Sequence, residues 1–244
     1  MSGRPQVVIT GMGLISPLGN ELESFWDDII SGRSGIRTLK QVPGSLLGAE
    51  FGAEALDFTG DVDDFGELDK QQRRSVKKSL RVMCREIQMG VAAAQRALAH
   101  GKLSPESRDP DRTGVVYGSD YIMTVPNEFV TSMRQCAAGR EFVYDQWAPA
   151  GIPKVDPLWL LKFLPNMPAS HIAIYNDLRG PNNSLTMREA SPNLAVAEAV
   201  MTIQRGQADV MLAGATGTRV HPLRSIHVSL QEPLAGSKNS RDSG

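Results

Sequence analysis

Three observations predict an α/β fold with a largely parallel sheet. First, short β-branched runs recur along the chain: Val7-Val-Ile-Thr10, Asp111-Arg-Thr-Gly-Val-Val-Tyr-Gly118 and Asp209-Val-Met-Leu-Ala-Gly214. Each is apolar enough to be buried on both faces. Second, stretches with helical spacing separate these runs, and alternation of the two is the pattern of strand–helix–strand units. Third, a Gly180-Pro-Asn turn, a β-prone run over 184–187 and an Ala-rich segment follow one another directly, giving strand, sharp bend and helix.

Taken in order, Val7 to Thr10 is expected as a buried strand ending in a tight turn at Gly11-Met-Gly13. A Gly-x-Gly after a strand can open a dinucleotide fingerprint. Ser16 stands at the third position, however, and no acid follows at the required spacing, so the turn reading is preferred. A helix is expected over 21–30, capped by Asn20 or a neighbour and ended by Ser31-Gly32. Residues 36–66 lack a sustained period and read as a long surface excursion.

The clearest periodic signal predicts one long helix over 68–99. Val76, Leu80, Met83, Ile87, Val91, Ala94 and Leu98 recur every three or four residues and form one stripe. Lys70, Arg74, Lys77, Lys78, Arg81 and Arg85 fall on the opposite side. Residues 121–140 read as partly helical, 146–157 as a loop, and 168–175 as a helix entering the Gly-Pro-Asn turn. Ser191 is placed as the cap and Pro192 at the first position of a helix reaching Arg205.

Composition excludes several classes. A chain of 244 residues suits one large domain or two small ones, and 41% hydrophobic with 22% charged residues is ordinary for a soluble protein. A net charge of −1 gives no reason to expect nucleic-acid binding. Two distant cysteines, Cys84 and Cys136, make a disulfide framework or zinc site improbable and fit a reducing cytoplasm. No signal region or membrane-length apolar run is present, and no cofactor or metal is implied. After Leu234 the chain is polar, and residues 235–244 are expected to be a disordered tail.

Several segments, in order, resemble the β-ketoacyl-acyl-carrier-protein synthases of fatty-acid and polyketide synthesis. They are Val7 to Gly19, Phe25-Trp26, Gly32-Arg-Ser-Gly-Ile36, Ala92 to Leu98, Arg112 to Val116, Leu164 to Ser170, Gly180-Pro-Asn182 and Gln204 to Thr216. The resemblance implies a thiolase-like α/β fold with helices on both faces of a mixed, largely parallel sheet. Residues 1–234 would form the N-terminal half of that fold. It implies an acyl carrier protein as partner, and a homodimer or a heterodimer with a ketosynthase.

In that family the bend before the Ala-rich helix carries a cysteine nucleophile, at a helix N-terminus that stabilises negative charge. The matching position here is Glu189. Three readings of Glu189 stand: a nucleophile, whose product would be a labile mixed anhydride; a decarboxylation element, which requires a protonated carboxyl; and a structural replacement anchored on helix N–H groups. The third is preferred. The family's second half supplies two histidines, and His100, His171, His221 and His227 match neither context, so all four read as structural or surface residues.

The basic set Lys70, Arg74, Lys77, Lys78, Arg81 and Arg85 could dock an acidic carrier protein, or be a solvated face balanced by Asp61, Asp63, Asp64, Glu67 and Asp69. The expected function is a ketosynthase-like, chain-length-factor-like partner unable to condense alone. The alternatives are a decarboxylating or condensing acyltransferase completed by a C-terminal half, and a non-functional remnant.

Overall fold

The computed structural model describes residues 6–42 and 50–234; the expected tail lies outside them. Its elements are α1 (Leu22–Ile30), β1 (Ile36–Thr38), β2 (Phe51–Ala53), α2 (Lys70–Ser79), α3 (Arg85–His100), β3 (Thr113–Ser119), α4 (Val130–Gln135), β4 (Ala137–Ala138), β5 (Glu141–Phe142), α5 (Met167–Asn176), β6 (Asn182–Thr186), α6 (Ser191–Gln204), β7 (Val210–Thr216) and α7 (Pro222–Gln231). β3 is buried along its whole length and pairs in parallel with β6 on one side and β7 on the other. Two short antiparallel pairs, β1–β2 and β4–β5, stand apart from this sheet.

Successive strand residues point to opposite faces. Val115 and Tyr117 face a core with Ile87 and Val91 of α3 and Ile172 of α5. Burying each of these aliphatic side chains contributes ~1.5–3 kcal/mol before entropy is counted. The Tyr117 hydroxyl donates to the Gly90 carbonyl at 2.8 Å, which closes that interface. Gly118 faces the other way, against Ser191 of α6. Helices therefore cover both faces.

His171 and Tyr175 stack within α5, their rings 5.5 Å apart, and the Tyr175 hydroxyl meets the imidazole Nδ1 at 3.0 Å. Burial pushes the His171 pKa down to about 4, so the native state holds this ring neutral. The unfolded chain takes up that proton near pH 6.5, and between the two values it binds more protons than the native state. Stability is therefore lost as pH falls through this window. Between pH 7.5 and pH 5 the expected loss from this residue is about 2 kcal/mol. Urea midpoints at both pH values check this, with His171→Gln expected to flatten the difference.

Five expectations change. Val7 to Thr10 forms no strand, and Val8 and Ile9 are exposed. The segment lies on α3 instead of in the sheet: a Cβ on Gly13 would come within 2.2 Å of the Ala93 carbonyl, and the Met12 N–H donates to His100 Nδ1 at 3.1 Å. Gly11 and Gly13 thus serve close backbone approach rather than a tight turn, and His100 accepts a hydrogen bond. The 36–66 stretch is more than a surface excursion, because Phe58, Val62 and Phe65 are buried in the core.

The long helix is two helices. Leu80 to Val82 tightens into a 3-10 turn, and Met83 and Cys84 are extended. The Cys84 N–H leaves the helical ladder for the Lys162 carbonyl at 3.2 Å. The stripe survives the break, since Val76, Met83, Ile87 and Val91 are all buried. Asp69 starts α2 by accepting from the Gln71 and Gln72 N–H groups, with the Gln72 side chain closing a capping box. Finally, α1 starts at Leu22 without a side-chain cap.

Candidate functional site

The candidate site is the bend between β6 and α6. Met187 leaves the strand, Arg188 takes a left-handed backbone with φ +52°, and a single 3-10 turn over Arg188–Ala190 feeds α6. Left-handed backbone is strained for a residue with a side chain and needs surrounding structure to hold it. Ser191 supplies that hold. Its hydroxyl accepts from the Met187 N–H at 2.8 Å and donates to the Ser119 carbonyl at 2.9 Å. Ser191 is therefore the first residue of the helix and a staple to β3, not the cap expected from sequence.

The staple needs Gly118. A Cβ there would sit 2.6 Å from the Ser191 Cβ and 2.9 Å from its backbone. Gly118→Ala should push α6 off the sheet and cost about 1–3 kcal/mol. A lower denaturant midpoint with an unchanged slope would match that expectation.

Glu189 projects from the 3-10 turn with its side chain 63% exposed. Its carboxylate pairs with the Arg219 guanidinium at 2.5 Å, and Arg219 also holds Glu232 at 3.0 Å. Hydrogen bonding from Arg219 keeps the Glu189 carboxyl below the usual carboxylate range. The group is charged at neutral pH, and its main partner is Arg219, not the helix N–H groups expected from sequence. The protonated form needed for a decarboxylation role is disfavoured here.

Behind the bend lies a cluster that sequence reasoning missed. Asp120, at the end of β3, forms an ion pair with Arg224 of α7, and both are buried. The Arg188 and Arg224 guanidinium groups lie 5.7 Å and 4.8 Å from the Tyr121 ring centre, and the Tyr121 hydroxyl meets His227 Nδ1 at 2.8 Å. His221 caps α7, its Nδ1 accepting from the Leu223 and Arg224 N–H groups. One signal was available: His221-Pro222 is a cap followed by proline at the helix start. Nothing local points to the pairing of Asp120 with a residue 104 positions away.

Of the basic set, Lys70, Arg74, Lys77, Lys78 and Arg81 are exposed. No ion pair among the described residues involves them. Three of the acids proposed to balance them are engaged elsewhere: Asp63 pairs with Arg73, Asp64 accepts from Thr59 and Gly60, and Asp69 caps α2. Arg85 leaves the set. Its guanidinium donates to the Ala55 and Phe58 carbonyls at 2.6 and 2.9 Å and lies over the Phe58 ring. Among the described residues no cluster of His, Cys, Asp and Glu could hold a metal ion, and no helix is long and apolar enough to cross a membrane.

The family model described as "Beta-ketoacyl synthase, N-terminal domain" matches residues 4–243. The chain belongs to the beta-ketoacyl synthase family. Among beta-ketoacyl synthases it is similar to 3-oxoacyl-[acyl-carrier-protein] synthase 2 of Staphylococcus aureus (strain COL), 27% identical over 216 residues, covering 88% of this chain and 46% of the relative. The enzyme of that name from Synechocystis is 27% identical over 243 residues, covering 96% and 53%.

Two solved structures carry the fold. The ishigamide ketosynthase/chain length factor superposes with a TM-score of 0.71 at 20% identity, over 96% of this chain and 53% of that one. A type II polyketide synthase acyl-carrier protein in complex with its ketosynthase gives 0.61 at 20% identity, over 91% and 54%. The fold is that of the ketosynthases, the thiolase-like α/β fold. This beta-ketoacyl synthase chain spans about half the length of the relatives it matches.

Proposed function

We propose that this chain is a ketosynthase-like subunit of fatty-acid or polyketide synthesis that does not itself form the carbon–carbon bond and acts, like a chain length factor, beside an active ketosynthase. The observation that carries the proposal is Glu189 at the strand-to-helix bend, the position that the sequence resemblance matches to the family's nucleophilic cysteine. Its carboxylate is exposed and ion-paired with Arg219. Attack by such a group on a thioester yields a mixed anhydride, too labile to water to wait for a second substrate. As an anion it also repels the malonyl carboxylate, which argues against a decarboxylation role.

The partner is an acyl carrier protein together with a ketosynthase, in a cytoplasmic setting. The exposed cations Lys70, Arg74, Lys77, Lys78 and Arg81 support carrier docking, because a cluster of cations with no ion pair among the described residues attracts an acidic partner and speeds encounter. The test mixes the purified chain with a cysteine-bearing ketosynthase, acyl-carrier protein and malonyl-carrier protein. Co-elution with the ketosynthase, and 3-oxoacyl product only when that enzyme is present, is the expected result. Product formed by the chain alone and lost on Glu189→Ala would overturn the proposal in favour of a catalytic role.

A further inference from the structure

His221 closes the N-terminus of α7 as a hydrogen-bond acceptor. Its Nδ1 takes the Leu223 and Arg224 N–H groups at 3.2 and 3.3 Å, so this nitrogen carries no proton. The proton of the neutral ring sits on Nε2, which is buried with no partner in hydrogen-bond geometry among the described residues. The ring is therefore held through Nδ1. The same turn grips the loop before it. The His221 N–H donates to the Ser225 hydroxyl at 3.2 Å, and the Ser225 N–H to the His221 carbonyl at 2.8 Å. The Ser225 hydroxyl donates in turn to the carbonyl of Arg219, the residue that pairs with Glu189.

An imidazolium cannot serve in this position. Both its nitrogens are donors, so neither orientation of the ring can accept from the Leu223 and Arg224 N–H groups. Its charge would also meet the positive end of the helix dipole and the Arg224 guanidinium. Glu86 of α3 pulls the other way, but burial dominates and pushes the His221 pKa below its ordinary value. Other charges near the ring are engaged: Lys162 is held by Glu128 and Asp156, and the Arg85 guanidinium by two carbonyls. Burial keeps the Cys84 thiol uncharged. A cavity of about 360 Å³, shared with the exposed Arg81, gives water a route to His221. His227, on the same helix, differs. Its Nδ1 meets the Tyr121 hydroxyl, which can donate to a neutral ring or accept from a charged one.

We infer that His221 is a proton-sensitive latch on the strand-to-helix bend: taking up a proton uncaps α7, releases its first turn and carries Arg219 away from Glu189. The opened turn binds a proton near pH 6.5 and the closed turn does not, so opening gains as pH falls below that value. Hydrogen bonding from Arg219 holds the Glu189 carboxyl low, so that ion pair stays charged over the same range and is not itself the sensor. α7 is suited to move, since its buried residues are only Arg224 and Ser225. The inference concerns access to residue 189 and holds whatever chemistry that residue performs.

The test reads amide exchange of the full chain at pH 7.5 and pH 5.0, with intrinsic rates divided out. Opening over 219–226 is expected to rise roughly ten-fold or more at pH 5.0, while β3, at 113–119, changes less and reports any global unfolding. His221→Asn and His221→Ser supply an oxygen that caps at either pH, and should hold 219–226 equally protected at both. His227→Gln should respond as the parent chain does. Protection of 219–226 that does not fall at pH 5.0, a response kept by either His221 variant, a response lost in His227→Gln, or an equal loss over β3 would overturn the inference.

Discussion

Arg224→Ala should release α7 from the body of the protein, lowering the free energy that holds it closed by about 3–5 kcal/mol. The magnitude follows from burial: Asp120 and Arg224 are 8% and 7% exposed, and removing the guanidinium leaves a buried carboxylate without its counter-charge. Among the described residues, only the Tyr121 N–H, at 2.6 Å, would still donate to it. The effect concentrates in α7 because this helix docks by polar contacts. Its buried residues are Arg224 and Ser225, while Leu223, Ile226 and Leu230 face outward. Ser225 in turn donates to the Arg219 carbonyl at 2.7 Å, so the loop presenting Arg219 to Glu189 should loosen as well.

Amide exchange over 222–231 measures the opening directly. The paired change Asp120→Asn with Arg224→Met removes both charges and keeps most of the volume, and should recover the greater part of the loss. A loss below ~1 kcal/mol for Arg224→Ala would mean that the pair is solvated and that something else holds α7.

The second large effect is chemical. Glu189→Cys should produce a thiol that iodoacetamide modifies at neutral pH roughly ten-fold or more faster than Cys84 or Cys136. Position 189 is exposed, sits one turn before α6 and faces Arg219, and a cation and a helix N-terminus both favour the thiolate. Cys136 is buried, and burial pushes the Cys84 thiol well above its ordinary value, so neither competes. Equal labelling of all three cysteines, or an inert residue 189, would contradict the geometry assigned to the bend.

Much of this arrangement was legible in the sequence where the determinants are local. The Gly180-Pro-Asn turn, the short strand after it, the Ala-rich helix and the 209–214 run appear in the structure within a residue or two, because turn chemistry and apolar periodicity are written in neighbouring positions. The failures share a cause. Val7 to Thr10 has the composition of a strand, but a strand also needs a partner, and the segment pairs with none among the described residues. The stripe from Val76 to Leu98 has helical spacing throughout, yet a hydrogen bond to Lys162 breaks it at Cys84.

At the site, Glu189 could be placed at the bend from its neighbours, but the group that binds it could not. Arg219 lies 30 residues downstream, brought over by β7 and the loop into α7. Arg85 shows the converse. Spacing put it on the exposed basic face, whereas the fold turns its guanidinium inward to two carbonyls made available by the 55–58 loop. Local pattern located the elements, and long-range polar pairing decided what their side chains meet.

The account depends on residue 189 being unable to hold an acyl group, and mass spectrometry of the intact chain after incubation with a fatty acyl-carrier-protein thioester tests this most directly. The predicted result is the unmodified mass, with peptides spanning Met187 to Ser191 carrying no acyl group. A stable acyl adduct mapped to Glu189 would contradict it.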